Sequence, residues 1–192
     1  MRRNSARRRS QRAAPKPPAS TPNAQPGAAL RNATPLEPGK IPQAVEEAVL
    51  AHRHAYAIIF VVYADCGTGG QLQATCDRLG VQMVTGPHCY SFFEGNEVFA
   101  EKSESEFTAF YLTDFLGRQF EAFVVKPLGL DRHPDLRDMY FGHYEKLVYQ
   151  AQTDDRELTE KAKACAETLG LSFARRFTGY GDLQTTLARL AD

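Results

Sequence analysis

The sequence contains no apolar run long enough to cross a bilayer: the longest, Ala55 to Ala64, has only 10 residues. No apolar stretch of the kind found in secretory signals follows the arginines at its start. Four cysteines in 192 residues are too few for a disulfide scaffold. We therefore expect a cytoplasmic protein that makes no contact with a membrane.

Basic and acidic residues are equal in number, 23 each, but they are unevenly distributed. Residues 1–36 hold eight basic residues and no acidic one, so the remaining 156 carry 15 basic and 23 acidic residues. Residues 1–28 are rich in Arg and Pro without apolar periodicity, which predicts a disordered basic tail before a single α/β domain over residues 29–192. We expect no nucleic-acid binding except through this tail, and a solvated tail or a start assigned too far upstream is the favoured explanation of the segment.

Residues 41–192 alternate between helical and β-prone segments. Helices are predicted over 41–53, 71–79, 96–105, 114–123, 134–144, 154–169 and 182–190, and strands over 56–63, 81–84, 107–112, 146–150 and 171–177. The run from Tyr56 to Tyr63 is apolar on both faces, as in a buried central strand. This alternation predicts a doubly wound, Rossmann-like α/β fold with three layers, in which helices cover both faces of one mainly parallel sheet of about five strands.

The chemically distinctive residues follow the predicted strands. Since the carboxyl ends of parallel strands lie along one edge of a sheet, the loops after these strands should share one ligand-binding rim. The residues at this rim are Asp65 to Gly70, His88 to Tyr90, Thr113 and Asp114, Thr153 and Asp154, and Gly179 to Gly181.

Two of the four cysteines lie at this rim. Cys76 and Cys165 share helix faces with leucines and are interpreted as core residues. Cys66 and Cys89 stand beside Asp65 and His88, a ligand set suited to zinc, iron or cobalt. No standard metal-binding spacing occurs, and a reactive thiol pair or two inert buried cysteines remain open alternatives.

Three further rim features have both a binding and a structural interpretation. Gly67, Thr68, Gly69 and Gly70 leave backbone amides free for a phosphate or carboxylate, or simply form a tight turn; they match no Walker A loop. Asp114 and Asp154 suit either cofactor binding or helix N-caps, with capping favoured. Tyr180, between two glycines, would stack on a flat ligand or occupy a turn.

Several motifs resemble a bacterial and archaeal family known as domain of unknown function number 1638. They are YADCGTGG (63–70), GPHCYSFFEG (86–95), LTDFLGRQF (112–120), GLDRHPDLRDMYFGHY (129–144), LVYQAQTDD (147–155) and RRFTGYGDL (175–183). Relatives often occur beside genes for corrinoid methyltransferases, so the resemblance implies components of these enzymes as partners. It also implies that a first strand and helix usual in the family are absent here. His133 begins a corrinoid-binding pattern, but Leu136 replaces its glycine, and no cobalamin binding through His133 is predicted.

Three functions follow as hypotheses. The first is a metal- or cofactor-binding enzyme or accessory factor, linked to corrinoid-dependent one-carbon transfer, with Asp65, Cys66, His88 and Cys89 as metal ligands. The second is a thiol enzyme that uses Cys66 and Cys89 as catalytic residues. The third is a non-catalytic module that binds a nucleotide or another anion through the glycine turn and Tyr180.

Overall fold

A computed structural model describes residues 37–102 and 106–191 of the protein. The predicted basic tail over residues 1–28 lies outside the described residues. Within these ranges, none of the helices combines the length and the apolar composition needed to cross a membrane.

The described residues form a mixed α/β structure in which β-strands pair in parallel. A short 3-10 helix (Pro38–Lys40) precedes the first α-helix, and a π-helical turn (Glu121–Val125) follows the fifth. The helices are α1 (Ile41–His52), α2 (Gln71–Leu79), α3 (Cys89–Glu94), α4 (Asn96–Lys102), α5 (Asp114–Arg118), α6 (Leu136–Phe141), α7 (Arg156–Leu169) and α8 (Gly181–Ala191). The strands are β1 (Phe60–Val61), β2 (Gln82–Met83), β3 (Ala109–Thr113), β4 (Lys146–Ala151) and β5 (Ser172–Phe177).

In the described residues, the five strands form two sheets: β1 pairs with β2, and the second sheet has the order β3-β4-β5. The predicted α/β class is confirmed, but the strands are divided between two sheets instead of forming one. The first sheet is short because the amide of Tyr63 bonds back to the Val61 carbonyl at 2.9 Å, which turns the chain after two paired residues. The prediction of a central strand over 56–63, buried on both faces, is therefore wrong. Ile58 and Val62 are 64% and 54% exposed.

Helices pack on both faces of each sheet. Apolar residues of α1 and α2 bury one face of the β1-β2 sheet, and α3 and α8 pack near the other. The larger core lies between the β3-β4-β5 sheet, α5 and α7, while α3 contacts the opposite face of β4. Helix α3 thus contacts residues of both sheets, and its first turn contributes to the candidate site.

Several elements begin at residues other than those predicted. Cys89 and Tyr90, predicted in a loop, begin α3, and Phe107 lies outside β3 with 87% of its surface exposed. The N-caps of α5 and α7 are Thr113 and Asp155, so the capping interpretation of Asp114 and Asp154 is wrong by one residue in each case. Both capping residues have extended backbones that direct their side-chain oxygens at the first-turn amides of Leu116 and Leu158.

Candidate functional site

The turn between β1 and α2 is closed by one of its own carboxylates. Asp65 accepts hydrogen bonds from the Thr68 hydroxyl and, at 2.8 Å, from the Gly70 amide. These bonds, chiefly the one from Thr68, lower the pKa of Asp65. Asp65 therefore occupies a backbone amide of the turn that was predicted to bind an anionic ligand. No contact among the described residues favours such a ligand here.

Cys66 has an uncommon backbone conformation. Among the described residues it is the one non-glycine with a positive φ, 37°. A side chain in this left-handed region costs about 1–2 kcal/mol. The Cys66 amide donates to the Pro87 carbonyl at 3.0 Å, so the turn after β1 is fixed to the loop after β2.

The side chains of Cys66 and Cys89 meet where these two segments join. Both are half-buried, and both are free thiols that pack against an apolar cluster around Ala64 and Phe92. A hydrogen bond from the Cys89 thiol lowers the pKa of Cys66 to about 7; burial opposes this shift, and backbone hydrogen bonds from Cys89 and Ala64 reinforce it. The pKa of Cys89 is raised, since its proton is held in that bond and the thiol is buried beside a second sulfur.

His88 is engaged with the start of α3. Its Nδ1 accepts from the Ser91 amide at 3.2 Å, which makes His88 the N-cap of the helix and leaves the ring proton on Nε2. The ring belongs to an aromatic quartet with Tyr90, Phe99 and Tyr111, whose neighbouring centroids are 5.0–5.7 Å apart. Burial lowers the pKa of His88, which favours the neutral ring that the capping bond requires.

The proposed metal ligands are not gathered into a coordination sphere. No group of three or more His, Cys, Asp or Glu side chains in residues 37–102 and 106–191 is arranged to hold a metal ion. Asp65 is bonded within its turn, and His88 caps α3. The four-residue metal site stays a prediction with no geometric support.

Asp114 joins the ends of two strands. Its buried carboxylate accepts from the Tyr149 hydroxyl at 2.8 Å, the Gln152 amide at 3.0 Å, and the Thr153 hydroxyl and amide at 2.6 and 3.1 Å. These bonds tie the end of β3 to the end of β4, which is a structural use of the carboxylate. Its binding of a cofactor stays a prediction.

Asp154 and Tyr180 are exposed at the carboxyl edge of the larger sheet. The Asp154 side chain is 86% exposed and pairs with Arg175 at 2.6 Å. Tyr180 is 47% exposed, with its ring centroid 6.4 Å from that of Phe93. Neither residue has a contact with the thiol pair among the described interactions, so their predicted ligand-binding roles gain no support from these neighbours.

Two tyrosines lie near the thiols, and the sequence alone assigns neither of them a role. Burial, and then the charges of Cys66 and Cys89, raise the pKa of Tyr63 to about 12. Burial and the same two sulfurs also raise the pKa of Tyr90. Both phenols therefore remain neutral beside the thiols. One signal in the sequence points to them: each tyrosine lies within three positions of a rim cysteine.

A buried charge cluster on the far side of α3 was also missed. Arg176 bonds to Glu94 at 2.7 Å and to Glu106 at 2.7 Å. Glu94 and Glu106 have side chains that are only 3% and 9% exposed. The remaining partners are Lys102 and Gln150 on Glu94, and Lys146 and Tyr111 on Glu106.

The cluster holds both carboxylates in their charged form. Hydrogen bonds to Glu106, chiefly from Arg176, lower its pKa to about 2. Burial would raise the pKa of Glu94, but hydrogen bonds from Lys102, Arg176 and Gln150 outweigh it. These residues are widely separated along the chain, and no sequence motif predicts that their side chains are in contact.

The fold and site define a mixed α/β protein with parallel strands and a pair of free thiols at the strand ends. The chain matches the family described as protein of unknown function (DUF1638) over residues 30–187, and it belongs to that family. No curated protein and no solved structure matches it. The family resemblance inferred from the sequence motifs is thereby confirmed, and the family description assigns no activity.

Proposed function

We propose that Cys66 and Cys89 form the reactive centre of a dithiol enzyme that exchanges its thiols with a disulfide substrate. The observation that carries the proposal is that two free thiols 23 positions apart pack into one apolar cluster, where the Cys89 thiol lowers the pKa of Cys66 to about 7. At neutral pH about half of Cys66 would be thiolate, against about 1% of a thiol with the ordinary pKa of 9. The thiolate is the form that attacks a disulfide.

The exchange has two steps. In the first, the Cys66 thiolate attacks one sulfur of a disulfide R–S–S–R′; the substrate S–S bond breaks, and R′S⁻ leaves with the electron pair and takes a proton from water. In the second, Cys89 loses its proton to solvent, and its sulfur attacks the Cys66 sulfur and releases RS⁻. The substrate gains two electrons and becomes two thiols, while the protein loses two electrons and gains a Cys66–Cys89 disulfide.

The surroundings of the thiols suit this division of roles. The high pKa of Cys89 keeps it protonated as a hydrogen-bond donor until Cys66 has reacted. Tyr63 and Tyr90 remain neutral phenols, so they add no negative charge that would oppose the Cys66 thiolate. Cys66 is therefore the attacking residue, and Cys89 the resolving one.

The hypothesis of a metal cofactor is not favoured by any described contact, because no third ligand joins the two sulfurs. A link to corrinoid methyltransferases, and cytoplasmic localisation, remain predictions from the sequence. The anion-binding hypothesis is weakened because Asp65 already bonds to the Gly70 amide.

Thiol labelling across pH tests the proposal, because the chain contains its own reference cysteines. Burial raises the pKa of Cys76 and raises that of Cys165 to about 11. Peptide mass spectrometry after brief alkylation of the native protein would follow all four sites. We expect Cys66 to label with a midpoint near pH 7, and the other three to label slowly.

Two variants separate the roles of the cysteines. Cys89→Ala should raise the Cys66 midpoint towards 9, and Cys89→Ser, which keeps a hydroxyl donor, should raise it less. Incubation of the wild type with oxidised glutathione should give an internal disulfide with two hydrogen atoms lost. Cys89→Ala should instead stop at the glutathione adduct on Cys66. A wild-type Cys66 midpoint near 9, or no internal disulfide, would refute the proposal.

A further inference from the structure

One amide side chain of β4 contacts both ends of helix α3. Gln150 Nε2 donates to the Tyr90 carbonyl at 3.0 Å and to Glu94 Oε2 at 2.8 Å. Tyr90 adjoins Cys89 at the start of the helix, and Glu94 ends it. Gln150 therefore restrains both ends of the helix whose first residue is a thiol of the candidate site.

The burial of Gln150 at this position is energetically unfavourable. It has no exposed surface, and its Oε1 is the one buried side-chain oxygen or nitrogen without a partner in the described part of the chain. A buried acceptor without a donor carries a desolvation penalty that an apolar side chain of the same size avoids. Stability alone does not explain an amide at this position, whereas its two bonds to α3 do.

The backbone of Cys66 is tied to Pro87, just before α3, whereas Cys89 is the first residue of α3 itself. Gln150 fastens the first turn of this helix to β4 through the Tyr90 carbonyl. The position of the Cys89 side chain against Cys66 in their shared apolar cluster therefore depends on how α3 is seated on the larger sheet. At the other end of the helix, Arg176 and Lys102 also hold Glu94, whereas Gln150 donates to the Tyr90 carbonyl beside Cys89 as well.

We propose that Gln150 is a positioning residue for the dithiol centre: by holding the Tyr90 carbonyl and Glu94, it places the Cys89 side chain beside Cys66. This inference rests on the proposed function, because it assigns Gln150 a role through the same sulfur pair. Gln150 touches neither sulfur in the described contacts and is not itself a catalytic residue.

The test is the pH midpoint of Cys66 alkylation in the full-length chain with Gln150→Met, a variant of similar volume that cannot donate. Gln150→Leu is the second variant, should the first fail to fold. We expect the midpoint to rise by about one pH unit or more, which would lower the thiolate fraction at pH 7 from about one half to about a tenth. The thermal midpoint should fall, because the Tyr90 carbonyl and Glu94 lose a donor, and removal of the unpartnered Oε1 offsets part of this loss.

Leu147→Ala is the matched control. Leu147 lies on the same strand, fully buried in the core on the opposite face, so its loss destabilises β4 without removing a bond to α3. It should lower the thermal midpoint and leave the Cys66 midpoint unchanged. An unchanged midpoint in Gln150→Met, or an equal shift in both variants, would overturn the positioning role. If the wild type itself titrates near 9, the proposed function fails together with this inference.

Discussion

Replacement of Arg176 by methionine tests whether the charge cluster behind α3 stabilises the fold. The variant keeps the apolar stem but leaves two carboxylates, 3% and 9% exposed, without their shared guanidinium. Breaking a buried ion pair by removing one partner typically costs about 3–5 kcal/mol. Because Lys102 and Lys146 remain beside the carboxylates, we expect the lower end, about 3 kcal/mol at pH 7.

Urea and thermal unfolding at several pH values would measure this loss. For a chain of this size, about 3 kcal/mol corresponds to a fall in the thermal midpoint of about 6–12 °C. The loss should shrink as the pH falls from about 5 towards 2. In the variant, Glu106 and Glu94 take up protons and lose their unpaired charge, whereas Arg176 keeps Glu106 ionised down to about pH 2 in the wild type.

Lys161→Met is the control, since Lys161 pairs with Glu157 on the surface of α7 with both side chains more than half exposed. Such a pair contributes about 0–1 kcal/mol. If Arg176→Met costs no more than this control at pH 7, or if its effect does not depend on pH, the cluster contributes no net ionic stabilisation and the reasoning is wrong.

Three further predictions concern stability. Glu106 should lower the free energy of unfolding of the wild type by up to about 3 kcal/mol as the pH falls from 4.5 to 2. Its pKa is about 2 in the folded protein against an ordinary 4.5, so its contribution is complete above pH 4.5 and is lost as the pH falls through 2. Glu106→Gln should flatten that part of an acid titration followed by circular dichroism. Gly181→Ala should lower the free energy of unfolding in urea by about 2–4 kcal/mol, because φ is 47° and the new methyl group would overlap the carbonyls of Phe92 and Phe93. The control Gly69→Ala, which has open space around it, should cost only about 1–2 kcal/mol. Equal costs would contradict the close approach of α8 to α3. Asp114→Asn should cost about 2–3 kcal/mol in the same assay, since an amide cannot accept all four hydrogen bonds, and a loss below 1 kcal/mol would show that they are weak.

Secondary structure was predictable where a segment carries its own signals. Helix α7 ends at Leu169 and is followed by Gly170 in the left-handed conformation, as its sequence indicates. The errors arise where the outcome depends on distant partners. The run from Tyr56 to Tyr63 has strong β propensity, but propensity does not reveal that only Phe60 and Val61 find a neighbour. In the pair Asp154 and Asp155, either residue can cap a helix, and backbone conformation decides which one does.

The candidate site was predictable only in part, for a related reason. Cys66 and Cys89 could be placed together because both follow strands that pair in parallel. The charge cluster could not be predicted. It depends on the strand register, which sets Gln150 of β4 opposite Arg176 of β5, and on the packing of α3 against these strands. A glutamate in a sequence shows neither its burial nor the identity of its partner.

The aromatic quartet gives the protein a built-in optical reporter. The chain contains no tryptophan, so its near-ultraviolet dichroism arises chiefly from tyrosines, phenylalanines and any disulfide. Such signals require fixed side-chain packing and vanish when that packing loosens. Tyr90 and Tyr111 stack at 5.6 Å, with one ring beside the helix-borne thiol and the other bonded to Glu106. The dichroism of this pair would therefore report, without any attached label, whether the helix is seated on the sheet.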